Sequence, residues 1–255
     1  MTNKRLWSHL CTGFVVAAAG VGSVARADRA EELVQIHVEA VGGMARIAAL
    51  GSLRATGNVF AGGKRMRFTL TAARPDRVRL ETDLGGRTLM QAYDGREPPW
   101  EFDTGVWPPH YRPMADSAAK TFVADAEFDD PLVAGAARGY SFDYAGEVSV
   151  EGKKLLRLLV TRKMTDTFSI LLDSETYLVV LRVEQRTSPG GRTVQIVTRY
   201  DDFRPVEGVL LSHEVTVGVD GKLSQQTKID RIDANPAISE EIFSRPKVVL
   251  PEARR

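Results

Sequence analysis

The sequence predicts a mainly β protein: one large, curved antiparallel sheet of about eleven strands, with only a few helices. Three observations predict it. Glycine-bearing turn signals recur from Leu53 to the C-terminal region. Between them, apolar and polar residues alternate with period two. Helical spacing is confined to two places, one near the N-terminus and one in the middle of the chain.

The N-terminus reads as a secretory signal. Lys4 and Arg5 form a short positive region, Leu10 to Val24 carries no charge, and Ala25-Arg26-Ala27 supplies the small residues of a cleavage site. Cleavage is expected after Ala27, which leaves residues 28–255 as a single domain exported to the periplasm of a Gram-negative bacterium. The apolar stretch falls short of the roughly 20 residues that a spanning helix needs. The one cysteine, Cys11, lies inside the signal, so the mature chain has neither a disulfide nor a cysteine-based metal site. The full chain has a formal net charge of +1. The signal carries three basic residues and no acid, which leaves −2 for the mature form. No long basic run exists, and nucleic acid is not an expected partner.

From Asp28 to Leu50, Leu33, Ile36, Ala40, Met44, Ile47 and Leu50 recur at helical spacing. Gly42-Gly43 interrupts the run, which predicts two short helices meeting at a bend. Strands follow. The turns fall at Gly62-Gly63, Gly85-Gly86, Asp94-Gly95, Glu151-Gly152, Gly190-Gly191, Glu207-Gly208 and Asp220-Gly221. Met66, Phe68 and Leu70 alternate with Arg65, Arg67 and Thr69; Val78 and Leu80 alternate with Arg77, Arg79 and Glu81. Such strands have one covered face and one wet face. The Pro-rich, aromatic stretch from Glu97 to Pro113 reads as a break in the sheet. Ala115 to Ala126 reads as a helix, and Asp129-Asp130-Pro131 opens another.

No catalytic constellation emerges, and the chain is not expected to be an enzyme. His37, His110 and His213 lie far apart in sequence, without zinc-site spacing. There is no nucleophile elbow, phosphate loop or dinucleotide fingerprint, so neither a cofactor nor a metal is expected. His213 falls in phase with Val209, Leu211, Val215 and Val217 and reads as a satisfied core or rim residue. Asp125, Glu127, Asp129 and Asp130 read as helix caps; their functional alternative is a docking patch for a basic partner.

Several stretches together resemble one family. They are His37 to Gly43 followed by Leu53 to Gly57; Arg74 to Glu81 leading to Ala92-Tyr93-Asp94-Gly95 and Trp100; Leu172 to Leu178; and Tyr200 to Val209, ending in Asn235-Pro236 and Phe243. In this order the chain resembles the bacterial outer-membrane lipoprotein-sorting proteins, the LolA-LolB-like superfamily of periplasmic lipoprotein carriers. The resemblance implies an incomplete antiparallel barrel whose helices form a lid over an apolar cavity, and carriage of acyl chains through the periplasm. It also implies an arginine under the lid that couples opening to transfer; several arginines here fit that role.

The candidate ligand-binding residues are the apolar strand positions Met66, Phe68, Leu70, Val78, Leu80, Met90, Leu156, Leu158, Phe168, Ile170 and Leu172. The same alternation suits a filled core, so a packed interior and a lined cavity both remain open. Phe122, Val123, Phe128 and Leu132 are the candidate lid residues, with the lid running from Ala115 to Ala137 and joined by the N-terminal helices. The expected partner is a lipid or a lipidated protein. An alternative is an envelope sensor or interaction module that binds another protein through Trp100 to Pro113, since aromatic residues anchor interfaces.

Overall fold

The computed structural model describes residues 23–106, 111–162, 166–188 and 191–245. The signal segment before Ser23, Trp107 to His110 and Gly190 lie outside the described residues. The elements, in order, are helices α1 (Ser23–Ala40) and α2 (Met44–Ala49); strands β1 (Ser52–Ala61), β2 (Lys64–Ala73), β3 (Arg77–Asp83), β4 (Thr88–Tyr93), β5 (Trp100–Asp103) and β6 (Arg112–Pro113); helices α3 (Asp116–Asp125) and α4 (Pro131–Ala134); and strands β7 (Ser141–Val150), β8 (Lys153–Arg162), β9 (Asp166–Asp173), β10 (Val179–Thr187), β11 (Thr193–Val206), β12 (Val209–Val219) and β13 (Lys222–Ala234).

The strands form one antiparallel sheet in the order β6-β5-β4-β3-β2-β1-β13-β12-β11-β10-β9-β8-β7. Consecutive strands are neighbours throughout, apart from β6 and β7, which end the order; the sheet is not closed into a barrel. Every turn signal with described residues falls between two successive strands. The Glu151-Gly152, Glu207-Gly208 and Asp220-Gly221 turns have both residues at positive φ, as two-residue hairpins of this twist require. The expected number of strands is exceeded by two short ones, β5 and β6, which lie in the stretch read as a break. Pro113 is tolerated in β6 because β6 is an edge, where a missing N–H breaks no inner ladder.

The chain groups into two compact units. The first comprises the described residues of Met1–Ala49, Phe60–Lys64 and Asp130–Lys228; the second comprises those of Leu50–Val59, Arg65–Asp129 and Ile229–Arg255. In the first unit, α1 packs on β7 and α4. Its buried residues Ala30, Leu33 and His37, and Val41 just past its end, repeat at three- and four-residue spacing. The buried stripe therefore runs through His37, whereas Met44, in the apolar phase of the sequence, is exposed. Gly42 closes the corner between α1 and α2. Its φ is +134°, and a Cβ there would lie 2.4 Å from the Gly208 carbonyl oxygen, so the corner needs glycine to sit on the β11–β12 turn. The Leu210 amide donates to the Val41 carbonyl and fixes the same approach.

One expectation fails in β9. Phe168 through Leu172 are buried without interruption, so both of its faces are covered. Leu155, Leu171, Leu181 and Val197 form a second apolar cluster, on the face opposite Leu158 and Ile170.

Candidate functional site

The first unit gathers five of the candidate ligand residues. Leu156, Leu158, Phe168, Ile170 and Leu172 pack in one cluster with Val160 and Val179, and this cluster also contains Ala30 and Leu33 of α1 and Leu132 of α4. Cross-strand pairing sets the face: Leu156 lies opposite Leu172, Leu158 opposite Ile170, and Val160 opposite Phe168. The half-buried aromatic residues Tyr140, Phe142, Tyr144, Tyr177 and Tyr200 pack around it. This apolar face is covered by side chains of α1 and α4.

Two polar contacts anchor that cover. His37 is buried at 3 % exposure, and its Nδ1 lies 2.8 Å from the Tyr177 carbonyl oxygen in the β9–β10 turn. Its Nε2 faces Asp130 Oδ1 at 3.9 Å. Asp130 in turn caps α4, accepting a hydrogen bond from the Leu132 amide at 2.7 Å. One histidine thus connects α1, the α4 cap and a strand turn. The acidic residues near α4 accordingly include a cap, as their spacing indicates, and Asp129 pairs with Arg74. His213 is also buried, with Nδ1 2.9 Å from the Leu211 carbonyl oxygen.

The second unit holds the other six candidates. Phe68 and Val78 are buried, while Met66, Leu70, Leu80 and Met90 are half-buried. Leu70 pairs directly with Leu80, and Ala72 with Val78. Met90 pairs with Glu81, which puts it on the opposite face from Leu80. On Met90's face stand Arg77, Arg79, Ala92, Trp100 and Phe102. Period two marks the arginine side of β3 as wet, but the C-terminal segment covers it. Arg77 pairs with Glu240 and lies 5.6 Å from the Phe243 ring centroid. Arg79 donates to the Ile242 carbonyl at 3.0 Å, and the Trp100 indole N–H donates to the Phe243 carbonyl at 3.0 Å. Phe243 itself is 1 % exposed. The signal for this contact was present as a row of arginines at alternate positions and a lone Phe in a polar tail; nothing local joins them.

The lid candidates separate as well. Leu132 is buried under α1, and Phe122 and Val123 of α3 are half-buried. Phe128 is half-buried, with the Arg74 guanidinium 4.9 Å from its ring centroid. Arg74 also donates to the Leu50 carbonyl at 2.7 Å, and so ties the start of β1 to the chain that leads into α4. Trp100 is buried, so the proposed contact surface from Trp100 to Pro113 begins inside the unit; Tyr111 stacks on Phe102 at 4.5 Å between centroids. Among the described residues, no group of three or more His, Cys, Asp or Glu is placed to hold a metal, and no helix is long and apolar enough to cross a membrane.

The described residues form an open antiparallel sheet with a few helices. Three solved structures share it: a DUF1329 family protein from Desulfovibrio piger (TM-score 0.57, 12 % identity, 84 % of this chain and 97 % of that one); a putative outer membrane lipoprotein-sorting protein domain from Vibrio parahaemolyticus (0.55, 12 %, 85 % and 97 %); and a LolA superfamily protein from Nitrosomonas europaea (0.55, 12 %, 85 % and 98 %). At this identity the likeness is one of fold, and it agrees with the resemblance read from the sequence. No protein-family model and no curated protein sequence matches the chain.

Proposed function

We propose that the chain is a periplasmic carrier of an apolar ligand, a lipid or the acyl chains of a lipoprotein, in outer-membrane biogenesis. The ligand lies on the face formed by Leu156, Leu158, Phe168, Ile170 and Leu172, and α1 and α4 act as its cover. One observation supports this reading above others: an apolar cluster on one sheet face is closed by two helices whose polar ties converge on His37. Exchanging the Leu33 and Leu132 side chains for an acyl chain keeps the face dry, and each CH₂ buried contributes about 0.8 kcal/mol. The test is native mass spectrometry of protein purified from the periplasm. Co-purifying lipid supports the reading; a protein that stays ligand-free and gains none from added phospholipid overturns it.

A second reading, binding of another protein, has one observation in its favour. β7 is a ten-residue strand at the end of the sheet order and, among the described residues, has a partner strand on one side only. Such an edge can accept an added strand. A pull-down lost on substituting Asp143, whose side chain lies on the other face of β7, with Pro, with lipid binding intact, would favour it.

A further inference from the structure

In the second unit, the face of β3–β5 that carries Arg77, Arg79, Ala92 and Trp100 already holds an occupant. It is the segment from Ser239 to Ser244, which belongs to no strand of the sheet. The segment makes one tight turn. The Ser239 hydroxyl accepts the Glu241 amide, and the Ile242 and Phe243 amides donate to the Ser239 and Glu240 carbonyls, each at 3.3 Å. These bonds are local, so a separate peptide of the same sequence can form them. Ser239, Glu240, Glu241 and Ser244 are exposed, and Phe243 is 1 % exposed. One buried aromatic anchor among exposed neighbours is the pattern of a peptide seated on a surface.

The donors that hold the segment are set by contacts behind them. Arg77 gives Nε and Nη2 to the Arg74 carbonyl, at 3.2 and 3.1 Å, and turns Nη1 to the Glu240 carboxylate at 2.7 Å. Arg79 gives Nε to Glu81 at 2.7 Å and Nη2 to the Met90 sulfur at 3.3 Å, and turns Nη1 to the Ile242 carbonyl at 3.0 Å. Trp100 is buried, with Tyr111 edge-on to it at 5.2 Å between centroids, and its indole N–H meets the Phe243 carbonyl. Each donor therefore keeps its aim whatever lies in front of it, and such preorganisation lowers the cost of binding. Two of the three donors read main-chain carbonyls, which any sequence supplies. Selection falls to the ring in the pocket and to the carboxylate three residues before it.

We propose that this face is a binding site for a short segment of a partner protein, with the pattern acid–x–aliphatic–Phe, and that Glu240-Glu241-Ile242-Phe243 fills it while no partner is bound. The partner's Phe replaces Phe243, its main-chain carbonyls take the Arg79 and Trp100 donors, and its carboxylate takes Arg77. The tethered segment competes at an effective concentration on the order of millimolar, which sets the threshold that a partner must exceed. The site is separate from the apolar face of the first unit, and the carrier reading stands or falls without it.

The test uses the full mature chain and a fluorescein-labelled peptide with the sequence of residues 239–245, followed by anisotropy. Phe243→Ala empties the ring pocket and keeps the face. That chain is expected to bind the peptide roughly tenfold more tightly than the wild type, where the tethered segment competes. Bound peptide is expected to return Trp100 emission to the wild-type wavelength. A peptide that itself carries Phe243→Ala is expected to bind roughly tenfold more weakly, as a truncated anchor does. A second peptide, which keeps acid–x–aliphatic–Phe and is alanine elsewhere, is expected to match the first within about threefold, since the anchor carries most of the energy. Phe243→Leu serves in place of Phe243→Ala if the latter fails to fold. A folded variant chain that takes up no peptide, or that binds the Phe and Ala peptides alike, overturns the site. Equal affinity of the wild-type and variant chains for the peptide overturns the segment as its occupant, and failure of the second peptide overturns the pattern. A wild-type chain that dimerises in sedimentation, with the dimer lost in Phe243→Ala, overturns a foreign partner in favour of segment exchange between two copies.

Discussion

His37 Nδ1 and the Tyr177 carbonyl oxygen, 140 residues apart in sequence, lie 2.8 Å from each other. This contact is a polar link between α1 and the sheet, and it sits where the α4 cap, Asp130, also approaches the imidazole. Replacing His37 with Ala removes the hydrogen bond and leaves a void under α1. Loss of a buried partner costs about 1–3 kcal/mol. The expected result is a lower urea midpoint with an unchanged slope, and faster amide exchange in α1. An unaltered midpoint would show that the link contributes nothing.

Phe243 predicts a larger effect with a spectroscopic readout. It is almost fully buried, and its carbonyl accepts the Trp100 indole N–H. Phe243→Ala should cost about 3–5 kcal/mol, the usual range for a buried Phe. Trp100 should then emit at longer wavelength, as water reaches the indole. Emission identical to the wild type would mean that the C-terminal segment holds its place without the ring.

Asp201 gives a pH-dependent prediction. Burial raises its pKa above the ordinary carboxylate value; Arg199 opposes this, and Glu214, directly across on β12, adds to it. The folded state therefore holds this proton more tightly than the unfolded chain does. Ionised Asp201 is a net cost at neutral pH. The cost shrinks as pH falls through the folded-state value and is gone below the unfolded value of about 3.9. Asp201→Asn is expected to raise the thermal midpoint at pH 7 and to have no effect near pH 3. An equal shift at both pH values would remove electrostatics as the cause.

Helix α3 has no buried residue and no side-chain cap at Ala115, whereas α1 buries Ala30, Leu33, His37 and Val38. Local stability follows buried contact. Amides of Asp116–Asp125 are expected to exchange faster than those of residues 30–40, and added phospholipid should alter the second set more than the first. Slow exchange in α3, unaltered by the amphiphile, would count against any moving part there.

Export is tested directly by the mass of the protein recovered from the periplasm. Cleavage after Ala27 predicts an N-terminus at Asp28; a mass that retains residues 1–27 would contradict it.

The sheet was legible in the sequence because its turns are local. Gly62-Gly63, Glu151-Gly152 and Glu207-Gly208 announce hairpins through backbone conformations that few other residues adopt. The bend at Gly42-Gly43 and the cap at Asp130 were legible for the same reason. β5 and β6 were not, since their proline-rich surroundings resemble a loop and their pairing rests on the preceding strand. The covered arginine face was not legible either. Period two reports that two faces differ, and says nothing of a segment more than 140 residues further along that folds back onto the polar one. Seven of the eleven apolar candidates stand at buried positions, and Met66, Leu70, Leu80 and Met90 at half-buried ones. Their division between two units, and Met90's opposite face, depend on register, which a single strand's pattern does not fix.

The Trp100–Phe243 hydrogen bond spans 143 residues. A ribosome making about 5–20 residues per second needs roughly 7–30 s to travel that distance. Throughout that interval the side of β3–β5 carrying Arg79, Ala92 and Trp100 lacks the segment that seals it. The strands exist as sequence long before their cover does. A nascent chain of this protein therefore offers an aromatic, arginine-edged surface to whatever accompanies it during synthesis and transit, and withdraws that surface only when the last stretch arrives.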